Sequence, residues 1–103
     1  MDERDDEDLL AVTTRLRTAL ADKHGKLRVV DALALAGFPR ASYARAKLVA
    51  AAMRDLGWDR GRLRFDGALF YAYTRGSQLE REVILDVERG GDDRLVVVAR
   101  REP

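Results

Sequence analysis

Three arginines at alternate positions, Arg60, Arg62 and Arg64, stand ahead of an aromatic run holding Phe70, Tyr71 and Tyr73. A second set of polar and basic residues, Arg40, Ser42, Tyr43, Lys47 and Arg54, precedes them. Guanidinium and ammonium groups neutralise phosphates, and arginine also bonds guanine edges bidentately. Tyrosine hydroxyls and the first amides of a helix bind phosphate as well. These residue types therefore offer the gripping of a polyanion. Bond-making chemistry has fewer candidates. His24 is the lone histidine and cysteine is absent, which disfavours a zinc site. It reads better as a residue closing a helix, where it satisfies carbonyls and the dipole. Asp55, Asp59 and Asp66 lie beside arginines and at element ends, so ion pairing and turn formation explain them better than a magnesium site. No nucleophile-plus-base pairing and no glycine-rich phosphate loop is visible. The expectation is a protein without enzymatic activity, metal or cofactor.

Composition sets the frame for these residues. A chain of 103 residues makes one domain with a small core. Hydrophobic content of 47% beside 36% charged residues is globular with a heavily charged surface. No apolar run approaches the roughly 18 residues of a membrane span, and the start is acidic rather than basic-then-apolar. A cytoplasmic location follows, on the nucleoid if the chain binds DNA. The net charge of +1 hides an uneven distribution. Residues 1–8 hold six acids and one arginine, while residues 40–75 hold eight bases and three acids. A basic middle lies between acidic ends, which is compatible with nucleic-acid binding.

The elements that must position the basic residues follow from periodicity. Residues 1–7 lack apolar content and repel one another, so a disordered acidic tail is expected. Leu9, Val12, Leu16 and Leu20 mark a helix over 8–24, closed by His24-Gly25. Residues 26–28 form a short connection, at most a β-bridge. A second helix covers 29–36 and ends at Gly37. A third runs over 39–56, with Pro39 or Ser42 in its first turn. On its wheel Leu48, Val49, Ala52, Met53 and Leu56 share one face. Arg40, Tyr43, Lys47, Ala50 and Arg54 share the opposite one.

Asp66-Gly67 between alternating runs signals a two-residue hairpin. The register then pairs Phe65 with Ala68, Arg64 with Leu69, Leu63 with Phe70, Arg62 with Tyr71 and Arg60 with Tyr73. Alternation separates Leu63, Phe65, Ala68, Phe70 and Ala72 from Arg60, Arg62, Arg64, Leu69, Tyr71 and Tyr73. The first face is expected against the helices, and the second open to solvent or a ligand. Trp58 follows a helix-ending glycine and reads as core. Farther on, the β-branched runs around RGGDD suggest a second hairpin within 76–103. Ser77 and Glu80 offer a competing capping box. The uninterrupted run Leu95, Val96, Val97, Val98 and Ala99 suggests a strand buried on both faces. It would complete the domain's own sheet or form a homodimer contact.

Three helices followed by a basic hairpin, with "GFPR" joining the second and third helices and "LGW" leading into the hairpin, resemble a winged helix–turn–helix DNA-binding domain. The stretch GFPRASYARAKLVAAAMRDLGWDRGRLRFDGALFYAYTR is most similar to small modules of phage and mobile-element replication proteins. The resemblance covers residues 8–75 and implies an α+β fold, with 76–103 as an added hairpin. It also implies that the third helix enters the major groove of double-stranded DNA and that the wing, 60–73, touches backbone or minor groove. Arg40, Ser42, Tyr43, Lys47 and Arg54 would then contact DNA from the helix. Arg60, Arg62, Arg64, Tyr71 and Tyr73 would do so from the wing, unless the arginines only protect a strand edge and the tyrosines only cover their stems.

The expected function is a regulator or replication accessory factor. The alternative is a winged helix used for protein contact, such as a phage-encoded inhibitor or assembly subunit. The acidic start favours that alternative, because it could shield the basic face. The two readings separate on whether the basic residues form an unpaired surface or whether Glu80, Glu82 or Asp86 neutralise it. A piece of a larger replication enzyme is disfavoured by Met1 and the self-contained acidic start.

Overall fold

Asp66 and Gly67 adopt φ values of 52° and 89°, the positive pair that a two-residue hairpin turn demands. The turn joins β-strands Asp59–Phe65 and Ala68–Arg75, and the pairs between them are those that the turn dictates, from Phe65 with Ala68 down to Arg60 with Tyr73. The computed structural model in which this is seen describes residues 3–38, 40 and 42–102, with residues 3–7 described by their backbone alone. In chain order the elements are α1 (Glu3–Ala19), β1 (Gly25–Arg28), α2 (Val29–Leu35), α3 (Tyr43–Asp55), β2 (Asp59–Phe65), β3 (Ala68–Arg75), a short 3-10 turn (Glu80–Glu82), β4 (Ile84–Arg89) and β5 (Leu95–Arg100). The strands form one mixed sheet in the order β2-β3-β1-β4-β5. Among the described residues no helix is long and apolar enough to cross a membrane.

Several boundaries differ from expectation. The first helix begins at Glu3, so residues 3–7 are helical rather than a tail. Residues 1 and 2 lie outside the described residues. At the other end α1 stops at Ala19, and Asp22 takes a left-handed φ of 60° in the turn that follows. His24 therefore does not cap the helix; it pairs with Glu80 at 3.1 Å. The third helix starts at Tyr43, where the Ser42 side chain accepts from the Arg45 amide at 3.2 Å and satisfies one of the four unpaired donors. The expectation for Pro39 lies outside the described residues.

The connection at 26–28 is the central strand of the sheet. β1 pairs antiparallel with β3 along Gly25–Arg28 and meets β4 in parallel at Lys26 and Ile84. Gly25 makes this three-way contact feasible, because a Cβ there would come 2.5 Å from the Val83 carbonyl. Farther along, the Ser77–Glu80 capping box does form. The Ser77 amide donates to Glu80 Oε1 at 2.8 Å, but the turn stops after Glu82 and β4 begins.

The three helices cover one face of the sheet. Val12, Leu16 and Leu20 pack with Leu33, Val49, Ala52, Met53 and Trp58 over Leu27, Tyr73 and Leu85 from the strands. Leu16, Leu20, Leu27 and Met53 are fully buried, each contributing roughly 1.5–3 kcal/mol. Because Tyr73 belongs to this core, the hairpin faces are the reverse of the expected arrangement. The arginine–tyrosine face points to the helix side, and Phe65 and Ala72 join Ile84 and Leu63 in a second cluster on the back. Alternation sorts these residues into the right two sets, but it carries no information on which side the helices stand. Nor is β5 buried on both faces. It is an edge strand, with Leu95, Val96 and Val98 38–43% exposed.

Candidate nucleic-acid interface

Two elements present bases on the helix side of the sheet. On α3, the capped start at Ser42 leaves Tyr43 81% exposed, with Lys47 one turn on and its Nζ 5.3 Å from the Tyr43 ring centre. The i,i+4 spacing places these two together. Arg40 lies exposed just ahead, and its carbonyl accepts from Arg45 Nη1 at 3.3 Å. Arg54 is exposed in the last turn, where a cation favours the dipole. The core face is as the wheel requires, with Val49, Ala52 and Met53 buried.

On the hairpin, Arg60 and Arg62 flank Tyr71, their guanidinium carbons 5.7 and 5.5 Å from its ring centre. Tyr71 remains 60% exposed, so the three side chains form a basic ledge with an aromatic centre. Arg64 is exposed beside the turn and reaches the Gly67 carbonyl at 3.3 Å. Tyr73 is not part of this surface. It is 2% exposed, and burial raises its phenol pKa. Its place under the helices comes from its position at the base of the hairpin, where Leu27 of β1 pairs beside it.

The electrostatic environment keeps this surface basic. Among the residues whose side chains are described (8–38, 40 and 42–102), no carboxylate lies within ion-pair distance of Arg40, Lys47, Arg54, Arg60, Arg62 or Arg64. Of the acids nearby in sequence, Asp55 is exposed next to Arg54 and joins no described ion pair, while others are engaged elsewhere. Asp59 holds Arg81 at 2.9 Å, and Glu80 holds His24. On the back of the sheet Asp66 accepts from both Nη atoms of Arg100, at 3.0 and 2.6 Å, while Arg100 Nε bonds Asp86. The Arg100 guanidinium holds the Asp66 carboxyl below its ordinary range, and the two carboxylates raise the arginine further. Lys26 bonds the Arg64 carbonyl and Glu102, and Glu102 in turn accepts from the Asp66 amide at 3.4 Å. The hairpin turn is thus tied to the C-terminal strand on the back, and the front arginines have no ion pair among the residues whose side chains are described.

Sequence reasoning missed two residues. Arg45 falls on the core side of the wheel, yet in the first turn it lies beyond the core and stacks 5.2 Å from Phe38. Arg75 closes the molecule rather than the site. Its Nη2 donates to the Leu20 and Lys23 carbonyls at 2.7 Å, its Nη1 to Leu56 at 3.1 Å, and its plane lies 4.5 Å from the Trp58 ring. It serves the ends of α1 and α3, the role expected of His24. Burial lowers its pKa from the ordinary arginine value. A strand-ending arginine gives no sign of such partners in sequence. Trp58 is core, as expected, at 3% exposure.

Among the described residues no three His, Cys, Asp or Glu side chains gather as a metal-binding group. An open groove of about 770 Å³ runs between α1 and α3, lined by the apolar Leu9, Val12, Phe38 and Leu48 and by the charged Asp8, Arg15, Arg45 and Lys47. Comparison with protein-family models, curated proteins and solved structures finds no match to this chain.

Proposed function

We propose that this is a non-enzymatic double-stranded DNA-binding protein of winged-helix type, with α3 in the major groove and the β2–β3 hairpin on the backbone or minor groove. The observation that carries the reading is the absence, among the residues whose side chains are described, of ion-pair partners for the bases of α3 and the hairpin, while Asp59, Glu80 and Asp66 are held by Arg81, His24 and Arg100. Unpaired arginines and lysines on one side of a fold are what counterion release from DNA requires. The element order also supports it. A short strand between the first two helices pairs with the second hairpin strand, and the hairpin follows the third helix directly. In that arrangement Arg40, Tyr43 and Lys47 at the start of α3 read base edges and phosphates. Arg60, Arg62 and Arg64 neutralise phosphates, and Tyr71 braces the first two. A regulator or replication accessory factor fits such a module.

A second reading, protein contact, draws on the apolar groove between α1 and α3, which suits a partner helix. One experiment separates them. Binding to mixed-sequence duplex DNA is measured across a salt series for the wild type and for Arg60→Ala/Arg62→Ala/Arg64→Ala. The first reading expects affinity to fall steeply with salt, and the slope to flatten by about one for each phosphate that the variant no longer neutralises. Absence of binding at low salt would refute it.

A further inference from the structure

The open edge of β5 is the least protected part of the sheet. Natural edges carry charges, prolines or bulges that prevent pairing with another chain. Over Leu95–Ala99 β5 has neither charge nor proline, and its register with β4 is regular from Leu95 with Arg89 to Arg100 with Ile84. The turn shows which backbone groups face outward. Gly90 N–H donates to the Arg94 carbonyl at 2.7 Å, and Asp93 N–H to Gly90 at 3.1 Å, with Asp93 left-handed at φ 66°. That is a three-residue loop closed on a hydrogen-bonded pair, Gly90 with Arg94. Such pairs alternate along an antiparallel ladder. Val96, Val98 and Arg100 therefore bond inward to β4. Leu95, Val97 and Ala99 turn their N–H and C=O groups to the open edge, where no described backbone group meets them.

We propose that this edge pairs antiparallel with β5 of a second copy about a two-fold axis at Val97. The sequence around Val97 is nearly self-complementary. Val97 faces its own copy, Leu95 faces Ala99, and Val96 faces Val98, so every apolar residue of the strand meets an apolar partner. The outward-bonding residues Leu95, Val97 and Ala99 fall opposite one another, as a hydrogen-bonded ladder requires. Just outside, Arg94 meets Arg100, but each already has a carboxylate, Asp92 and the Asp66–Asp86 pair respectively. Asp93, paired with Arg89 at 3.0 Å within its own copy, meets Arg101, which is exposed and has no ion pair among the described residues. Shifting the register by two residues in either direction sets a charged or polar residue against the apolar run.

The axis runs along the sheet normal, because paired residues of an antiparallel ladder share a face. Both helical layers then lie on the same side of a continuous ten-stranded sheet. On the DNA-binding reading, the two α3–hairpin surfaces face one way, the arrangement needed for two half-sites.

The dimer is tested without DNA, so its outcome is independent of that reading. Sedimentation velocity from low to high micromolar protein should show a concentration-dependent dimer. Val96→Lys/Val98→Lys places lysines opposite lysines and should give the monomer mass. Val96→Lys/Val98→Glu places each lysine opposite a glutamate of the other copy and should restore the dimer. The chain has no cysteine, so Val97→Cys offers a single thiol. Oxidation should join two copies through it, since paired Cα atoms lie about 5.5 Å apart, within disulfide reach. A wild type that stays monomeric throughout, charge variants of identical mass, or a Val97→Cys protein that does not cross-link would each overturn the proposal.

Discussion

Replacing Arg75 by alanine should be the most destabilising single change at a residue that sequence reading treats as surface. The side chain donates four hydrogen bonds to three carbonyls, those of Leu20, Lys23 and Leu56, at 2.7–3.2 Å. A hydrogen bond to a charged group contributes roughly 1.5–3 kcal/mol net, and a carbonyl stranded by truncation costs about 1–3 kcal/mol. Water reaches this half-buried site once the guanidinium is gone, so the lower end applies, about 1 kcal/mol for each carbonyl. The stack on Trp58 adds about 0.5–1 kcal/mol, partly offset by rehydration of the cation. The sum is about 3–4 kcal/mol, against a total of roughly 5–15 kcal/mol for a domain of this size. At about 4 °C or more per kcal/mol, the melting temperature should fall by at least about 12 °C. Urea and thermal unfolding followed by far-UV circular dichroism would measure this, with the fluorescence of the sole tryptophan reporting the neighbourhood directly. Arg75→Lys keeps the charge but cannot span three carbonyls, so it should recover less than half of the loss. A loss below about 1 kcal/mol for Arg75→Ala would show that the carbonyls are served equally well by solvent. The account of how α1 and α3 are closed would then fail.

Two further outcomes follow from the back of the sheet and the pairs around it. Thr74 is 8% exposed and its hydroxyl has no hydrogen-bond partner among the described residues. Thr74→Val should therefore raise stability by roughly 1 kcal/mol, and a drop in the urea midpoint would contradict this. Asp66, Glu80 and Glu102 have carboxyl pKa values depressed by Arg100, by hydrogen bonds from Ser77 and by Lys26 respectively. A depressed carboxylate stabilises the fold above its unfolded pKa, and that stability is lost as pH falls through the folded one. Unfolding should therefore become easier below about pH 4, and Asp66→Asn should flatten that part of the profile. A stability profile for Asp66→Asn that parallels the wild type below that pH would rule out the Arg100 pair as a source.

Much of the framework can be read locally. The Asp66-Gly67 turn determines the hairpin and every pair in it, because both residues must accept positive φ and a two-residue loop allows one register. The core face of α3 follows from its spacing, and Trp58 follows from its place after a helix-ending glycine. The strand at 25–28 is too short to show a period, and it becomes a strand only because β3 and β4 flank it. The basic site is partly legible for the same reasons: Arg60, Arg62 and Tyr71 share a face by alternation, and Tyr43 and Lys47 by helical spacing. That Tyr73 leaves the site is not legible, because alternation sorts residues into two faces without saying which one the helices will cover.

Tertiary structure alone decides how charges are paired. The acids Asp66, Asp86 and Glu102 and the bases Lys26 and Arg100 come from four separate parts of the chain. They meet only because the sheet brings the hairpin turn to the end of β5. Held on the back by one another, none of these acids pairs with Arg60, Arg62 or Arg64 on the front. The sequence by itself determines the turn, the register and the amphipathic faces, since each depends on φ tolerance or side-chain period within a few residues. The side of the sheet the helices occupy, the three carbonyls closed by Arg75 and the capture of Asp66, Asp86 and Glu102 by Arg100 and Lys26 depend on long-range packing and Coulomb contacts, which no local period encodes.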